Sequence, residues 1–208
     1  MRHIGLFGGS FNPVHQGHIL AANSVRAQLG LDEIYFLPAS QSPFKTRPKL
    51  SDAHRTEMLE RAIFGHPALN IDTRELQRPG PSYTIDTLKE IARDRPGDRL
   101  YLLIGMDAWE QFEHWHQWRE IIKYCHLVVL SRPGYSPSAL SKYWQEKLTR
   151  DIQSFKDSAA GGLAFVTVPV SEAASNEIRE RIKQGHSAPG DLPQAVSEYI
   201  EEQQLYRE

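Results

Sequence analysis

Cysteine is almost absent. The single Cys125 among 208 residues rules out a disulfide within the chain, and the sequence suits a reducing, cytoplasmic setting. A positive surplus is missing too: 24 Lys and Arg stand against 26 Asp and Glu, for a formal net charge of −2. Domains that live on nucleic-acid backbones carry a clear basic excess, so no nucleic-acid partner is expected. A local basic pocket for a small phosphorylated ligand is compatible with that balance. No apolar run approaches the roughly 20 residues that a membrane span requires, so no membrane association is expected. The opening Met-Arg-His-Ile runs directly into a strand pattern without a signal-peptide pattern ahead of it. Two common phosphate fingerprints are also lacking after the first strand. There is no GxGxxG spacing, and no GKS or GKT with a lysine for terminal phosphates.

What is present is an alternation of strand and helix patterns. Hydrophobic residues make up 40% and charged residues 24%, the balance of an ordinary globular chain with a substantial core. Short apolar runs predict strands at 3–8, 33–38, 69–72, 99–104, 126–131 and 163–168. Helical spacing predicts helices at 17–29, 52–64, 85–94, 105 to about 112, 138–152, 175–184 and 192–203, with Ser51 as an N-cap and Gly30 as a stop. The strand–helix–strand opening calls for a right-handed parallel crossover. The expected fold is therefore α/β: a single Rossmann-like, doubly wound, mainly parallel sheet with helices on both faces, spanning 1–208 as one domain. Cys125 is expected to be a packing residue.

The stretch GGSFNPVHQGH, from Gly8 to His18, lies at the predicted C-terminal end of the first strand. Ligands of open parallel sheets collect at that rim. Glycines there let backbone N–H groups approach a phosphate, and the following helix points its positive end at the same place. His15 and His18 are three residues apart and share one helix face. Donors so placed can stabilise charge that develops on a phosphoryl group. A metal is the competing use of two such histidines. Only His3 lies nearby in sequence and no cysteine partner exists, so no protein-bound metal is expected.

This stretch resembles the first motif of the nucleotidylyltransferase superfamily, (H/T)xGH. The motif's frequent aspartate before the proline is Asn12 here, and asparagine can make the same local turn bond. SYTIDTL (82–88), GMDAWEQFEHW (105–115), EIRERI (177–182), SPFK (42–45), LSRPGY (130–135) and the final LYR (205–207) are similar to bacterial nicotinate-nucleotide adenylyltransferases, in the same order along nearly the whole chain. The resemblance implies transfer of AMP from ATP to nicotinate mononucleotide, with deamido-NAD and pyrophosphate as products and Mg²⁺ carried by ATP. It implies His15 and His18 as catalytic residues. It implies an ATP site of Gly8, Gly9, Ser10, Phe11, Gly105, Asp107, Ser175, Asn176 and Arg179. The acceptor site would comprise Lys45, Tyr83, Thr84, Asp107, Trp115 and His116, with Trp115 stacked on the pyridine ring. ATP and nicotinate mononucleotide are the implied partners, and a homo-oligomer is compatible with the pattern.

Several of these residues have structural readings of their own. Thr84 and Asp107 can be helix N-caps, Trp115 can belong to the core, and Lys45 and Arg179 can be solvated. Two departures from the family pattern stand out: Phe44 replaces a histidine, and Ala174 replaces the first serine of an (I/V)S(S/T)TxIR-like motif. The alternative functions are an adenylyltransferase that prefers nicotinamide mononucleotide and, more remotely, a non-catalytic nucleotide-binding protein.

Overall fold

The computed structural model describes residues 1–41, 50–135, 140–149, 151–171, 173–186 and 190–207. Among these, six strands form one sheet, β1 (His3–Gly9), β2 (Glu33–Pro38), β3 (Leu69–Ile71), β4 (Arg99–Gly105), β5 (His126–Ser131) and β6 (Leu163–Thr167). Every neighbouring pair is parallel, and the order is β3-β2-β1-β4-β5-β6. The direction of winding reverses between β1 and β4, which opens a crevice at their C-terminal ends. The α/β expectation holds, and all six strands were legible as short apolar runs because a doubly covered parallel sheet needs side chains buried on both faces.

Successive strand residues face opposite ways, and the core divides accordingly. On one face Phe7, Ile34, Phe36, Leu103 and Val128 pack beneath helices α1 (Gln16–Leu29), α2 (Asp52–Ile63), α9 (Ser175–Lys183) and α10 (Gln194–Glu202). On the other, Ile4, Leu6, Leu102, Ile104 and Val129 pack against α4 (Thr84–Asp94) and α6 (Trp118–Tyr124), with Cys125 fully buried among them. Gly5 is required where these layers meet, because a Cβ there would lie 2.9 Å from Ile34 Cγ1.

Shorter helical pieces are α3 (Arg74–Gln77), α5 (Met106–Glu110), α7 (Lys142–Gln145) and α8 (Ile152–Asp157). Here one expectation is corrected. The pattern at 138–152 predicts a single helix, and the described part of it is broken. Leu163 N–H donates to Lys147 O at 2.8 Å and Thr149 N–H to Leu163 O at 2.9 Å, so this backbone joins the edge of β6. Asp151 then caps α8 by accepting from the N–H groups of Gln153 and Ser154. Sheet pairing overrides the helical period. None of the described helices is long and apolar enough to cross a membrane.

At the opposite end of the sheet from the crevice, His126 is fully buried. Its Nδ1 accepts from Gly162 N–H at 3.2 Å and its Nε2 donates to Ser158 O at 3.1 Å, which employs both nitrogens of a neutral ring. Burial holds its pKa below the usual 6.5, against the pull of the Ser158 carbonyl and with smaller help from Arg99 and His3. Above pH 6.5 neither the folded nor the unfolded ring takes up a proton, so this stability is complete there. As the pH falls below 6.5 the unfolded ring protonates first and stability is lost, by at most about 1.4 kcal/mol per pH unit for each such histidine. Urea midpoints measured from pH 8 to pH 5 should therefore be flat and then decline. His126→Gln should show a shallower decline than the wild type.

Candidate active site

β1 ends at Gly9, which pairs with Pro38 of β2, while Phe7 pairs with Leu103 of β4. Gly8–Gly9 and Gly105 therefore reach the same rim on adjacent strands, at the switch point. Gly8 is exposed, and a Cβ there would meet nothing within 4 Å. Gly9 has no such room, since its Cβ would lie 2.9 Å from the Phe11 ring. Phe11 is buried with φ of 45°, a left-handed conformation that a phenylalanine holds only where its surroundings enforce it. The ring is locked edge-on against Phe7, Phe36 and His18.

The turn from Ser10 to Pro13 is fastened by distant side chains. Arg55 Nη1 donates to Ser10 O at 2.8 Å. Arg179 Nη1 donates to Asn12 O at 2.6 Å, and Ser175 Oγ donates to Pro13 O at 2.9 Å. The Tyr206 hydroxyl donates to Asn12 Oδ1 at 2.7 Å. Arg179 is thus half-buried against the turn rather than solvated. Ser175 opens α9 behind Ala174 at the N-cap, which contributes no side-chain cap bond, and Asn176 is exposed in the first turn. Nothing in the sequence pattern singles out Arg55 for this role. It lies in the α2 apolar stripe with Met58, Leu59 and Ala62, where a core side chain is the default.

His15 precedes α1 and His18 lies in its first turn, with ring centroids 3.7 Å apart. Both face inward, His15 buried and His18 half-buried. The His15 backbone N–H donates to His18 Nδ1 at 3.2 Å, so the neutral His18 ring keeps its proton on Nε2. Burial pushes the His15 pKa down to about 4. Burial, and then the neighbouring His15, hold His18 well below the ordinary histidine value. The pair is therefore uncharged near neutrality. The His15 side chain faces the His18 backbone N–H in a capping-box arrangement, with its Nδ1 buried and outside hydrogen-bond geometry among the described residues.

A second group of predicted residues gathers at the same rim. Ser82 Oγ accepts from Ser40 N–H at 3.2 Å and Ser82 N–H donates to Gln41 O at 2.9 Å, which ties the Ser82–Thr84 segment to the end of β2. The rings of Tyr83 and His116 lie 4.6 Å apart, so these two residues, distant in sequence, are brought together. Trp115 is half-buried, one side against Phe112 at 5.3 Å. Two structural readings are corrected here. Thr84 is not an N-cap: Tyr83 takes that position without a side-chain cap bond, and Thr84 is the first residue of α4. Asp107 is not one either. Gly105 caps α5, and the exposed Asp107 folds back until its Oδ1 lies 2.8 Å from where a Gly105 Cβ would stand. Lys45 and Phe44 lie outside the described residues.

Comparison with known proteins bears on this arrangement directly. Residues 6–181 match the family model described as "Cytidylyltransferase-like". A Pseudomonas aeruginosa protein named "Probable nicotinate-nucleotide adenylyltransferase" is 39% identical over 99% of this chain and 98% of its own length. The chain belongs to the nicotinate-nucleotide adenylyltransferase family. A relative of the same name from Bacillus pumilus is 38% identical over 99% of both chains. A solved structure, the Plasmodium falciparum nicotinic acid mononucleotide adenylyltransferase complexed with NaAD, shares the fold with a TM-score of 0.74 and 16% identity, covering 99% of this chain and 98% of that one. Like its relatives the chain is a nucleotidyltransferase enzyme of NAD biosynthesis.

The glycine of the HxGH motif has a specific role in this geometry. A Cβ at Gly17 would lie 2.8 Å from Ser171 Oγ, 2.9 Å from Ser171 Cβ and 3.1 Å from His15 Cε1. Alanine brings about 1 kcal/mol of helix propensity, but forcing a methyl into a filled space costs about 1–3 kcal/mol. Gly17→Ala should therefore lose about 1 kcal/mol net, read as a lower urea midpoint, and displace His15 in a crystal structure.

Proposed function

We propose that this enzyme joins ATP and nicotinate mononucleotide by in-line displacement at the β1/β4 crevice. A 5′-phosphate oxygen of the mononucleotide attacks the α-phosphorus of ATP, pyrophosphate leaves, and deamido-NAD is formed. The attacking phosphate is already anionic, so no side-chain nucleophile or base is called for, and the protein's task is positioning and charge stabilisation. The observation that carries this reading is the open notch at Gly8 beside a neutral imidazole pair whose tautomer is set by the backbone.

Gly8, Gly9, Ser10 and Phe11 frame the triphosphate with backbone N–H groups. His18 donates from Nε2 to the α-phosphate oxygens, and His15 contacts the triphosphate. Asn176 and Arg179 meet the nucleotide at the start of α9. Lys45 adds positive charge over the phosphates. Mg²⁺ shields the phosphate charge when it arrives bound to ATP. The donor set fits that route, because the turn offers N–H groups and imidazoles, which bind phosphate oxygens.

For the acceptor, Trp115 offers a flat apolar face to the pyridine ring. Main-chain N–H groups at Tyr83, Thr84 and His116 suit a carboxylate better than an amide, which would present a donor in return. Asp107, exposed at the rim beside Gly105, suits the ribose hydroxyls of the bound nucleotide or acceptor.

Pyrophosphate release from ATP with each acceptor tests the reading. Nicotinate mononucleotide should give a kcat/KM roughly tenfold or more above that of nicotinamide mononucleotide. A preference for the amide would make the protein an adenylyltransferase of nicotinamide mononucleotide, and equal values would remove the carboxylate recognition assigned to Tyr83, Thr84 and His116. Silence with both would leave only nucleotide binding. His18→Ala should lower kcat by roughly a hundredfold, about 3 kcal/mol of lost transition-state stabilisation, as for one oxyanion donor. Wild-type turnover in that variant would remove His18 from the mechanism.

A further inference from the structure

Arg55 breaks two rules at once. It is a fully buried cation on the core stripe of α2, and it lies in the first turns of the helix, where the positive end of the helix dipole disfavours it. Such local violations cluster at functional sites. Its Nη2 donates to Asp52 at 2.6 Å, an ion pair in which Arg55 is wholly buried and Asp52 is 28% exposed. Its Nη1 donates to Ser10 O at 2.8 Å, and its Nε is buried without a partner among the described residues. A buried arginine costs desolvation, and replacing it with apolar packing is often no loss to stability. Fold stability alone therefore gives no reason for it.

The peptide between Ser10 and Phe11 supplies the reason. In a planar trans peptide the carbonyl and the following N–H point in opposite directions. Drawing the Ser10 carbonyl toward α2 turns the Phe11 N–H away from α2, and no described residue accepts from that N–H. The same bond helps to enforce the left-handed Phe11 backbone. We propose that Arg55 is a positioning residue for the triphosphate: its guanidinium fixes the Ser10–Phe11 peptide so that the Phe11 N–H faces the nucleotide. Its buried charge also sits behind that peptide. The inference rests on reading the turn as a nucleotide cradle, and it assigns Arg55 to ATP and not to the pyridine acceptor.

Calorimetric titration with a non-hydrolysable ATP analogue, alongside KM measurements for both substrates, tests it. Arg55→Met should raise the analogue Kd and the ATP KM at least tenfold while the acceptor KM stays within twofold. Arg55→Lys keeps the charge but loses the planar fork, and should raise the analogue Kd about threefold or more. A folded Arg55→Met with unchanged analogue affinity, or one that weakens both substrates equally, would overturn the proposal. If Arg55→Met does not fold, Arg55→Lys decides, and an unchanged Kd there overturns it as well. A wild-type protein that binds the analogue but adenylates neither pyridine mononucleotide would refute the proposed reaction alone, leaving Arg55 to be judged on the Kd values. One that does not bind the analogue would refute both.

Discussion

The chemistry of this enzyme depends on where the carbonyls of one turn are sent. Between Ser10 and Pro13 three backbone oxygens are each taken by a side chain from α2 or α9. An anion site made of backbone is only as good as the orientation of its peptides, since each peptide carries an attractive N–H and a repulsive C=O. Engaging the Ser10 oxygen elsewhere leaves the Phe11 hydrogen for the ligand, and engaging the Asn12 oxygen, whose peptide to Pro13 has no N–H, withdraws a repulsive carbonyl. The ties are made by the protein's own side chains, which is what electrostatic preorganisation requires.

The imidazole pair obeys the same logic in another form. Two cationic histidines 3.7 Å apart would repel, and burial makes charging either of them harder. The result is a neutral donor whose proton is assigned to one nitrogen by a backbone N–H on the other. Neutral donors bind an anion less tightly in the ground state than charged ones. Only the part of the interaction that strengthens as charge concentrates during reaction accelerates it.

Much of this was legible in sequence. The six strands announced themselves as apolar runs, and the position of GGSFNPVHQGH after the first of them located the rim. The single helix expected at 138–152 failed because local periodicity carries no information about the edge of β6, 163 and beyond, which claims the backbone at 147–149. Thr84 and Asp107 missed their capping positions by one and two residues, the usual uncertainty of helix ends. Arg55 was invisible for a deeper reason. A charged residue within an apolar stripe becomes informative only when its partner is known, and that partner is a carbonyl 45 residues away, an atom every residue possesses.

Tyr206 makes the nucleotide turn a long-range object. Its hydroxyl meets the Asn12 side chain across 194 residues of sequence. The turn is therefore not completed by its local sequence, and anything that loosens the segment after α10 also removes a tie from the Asn12 side chain.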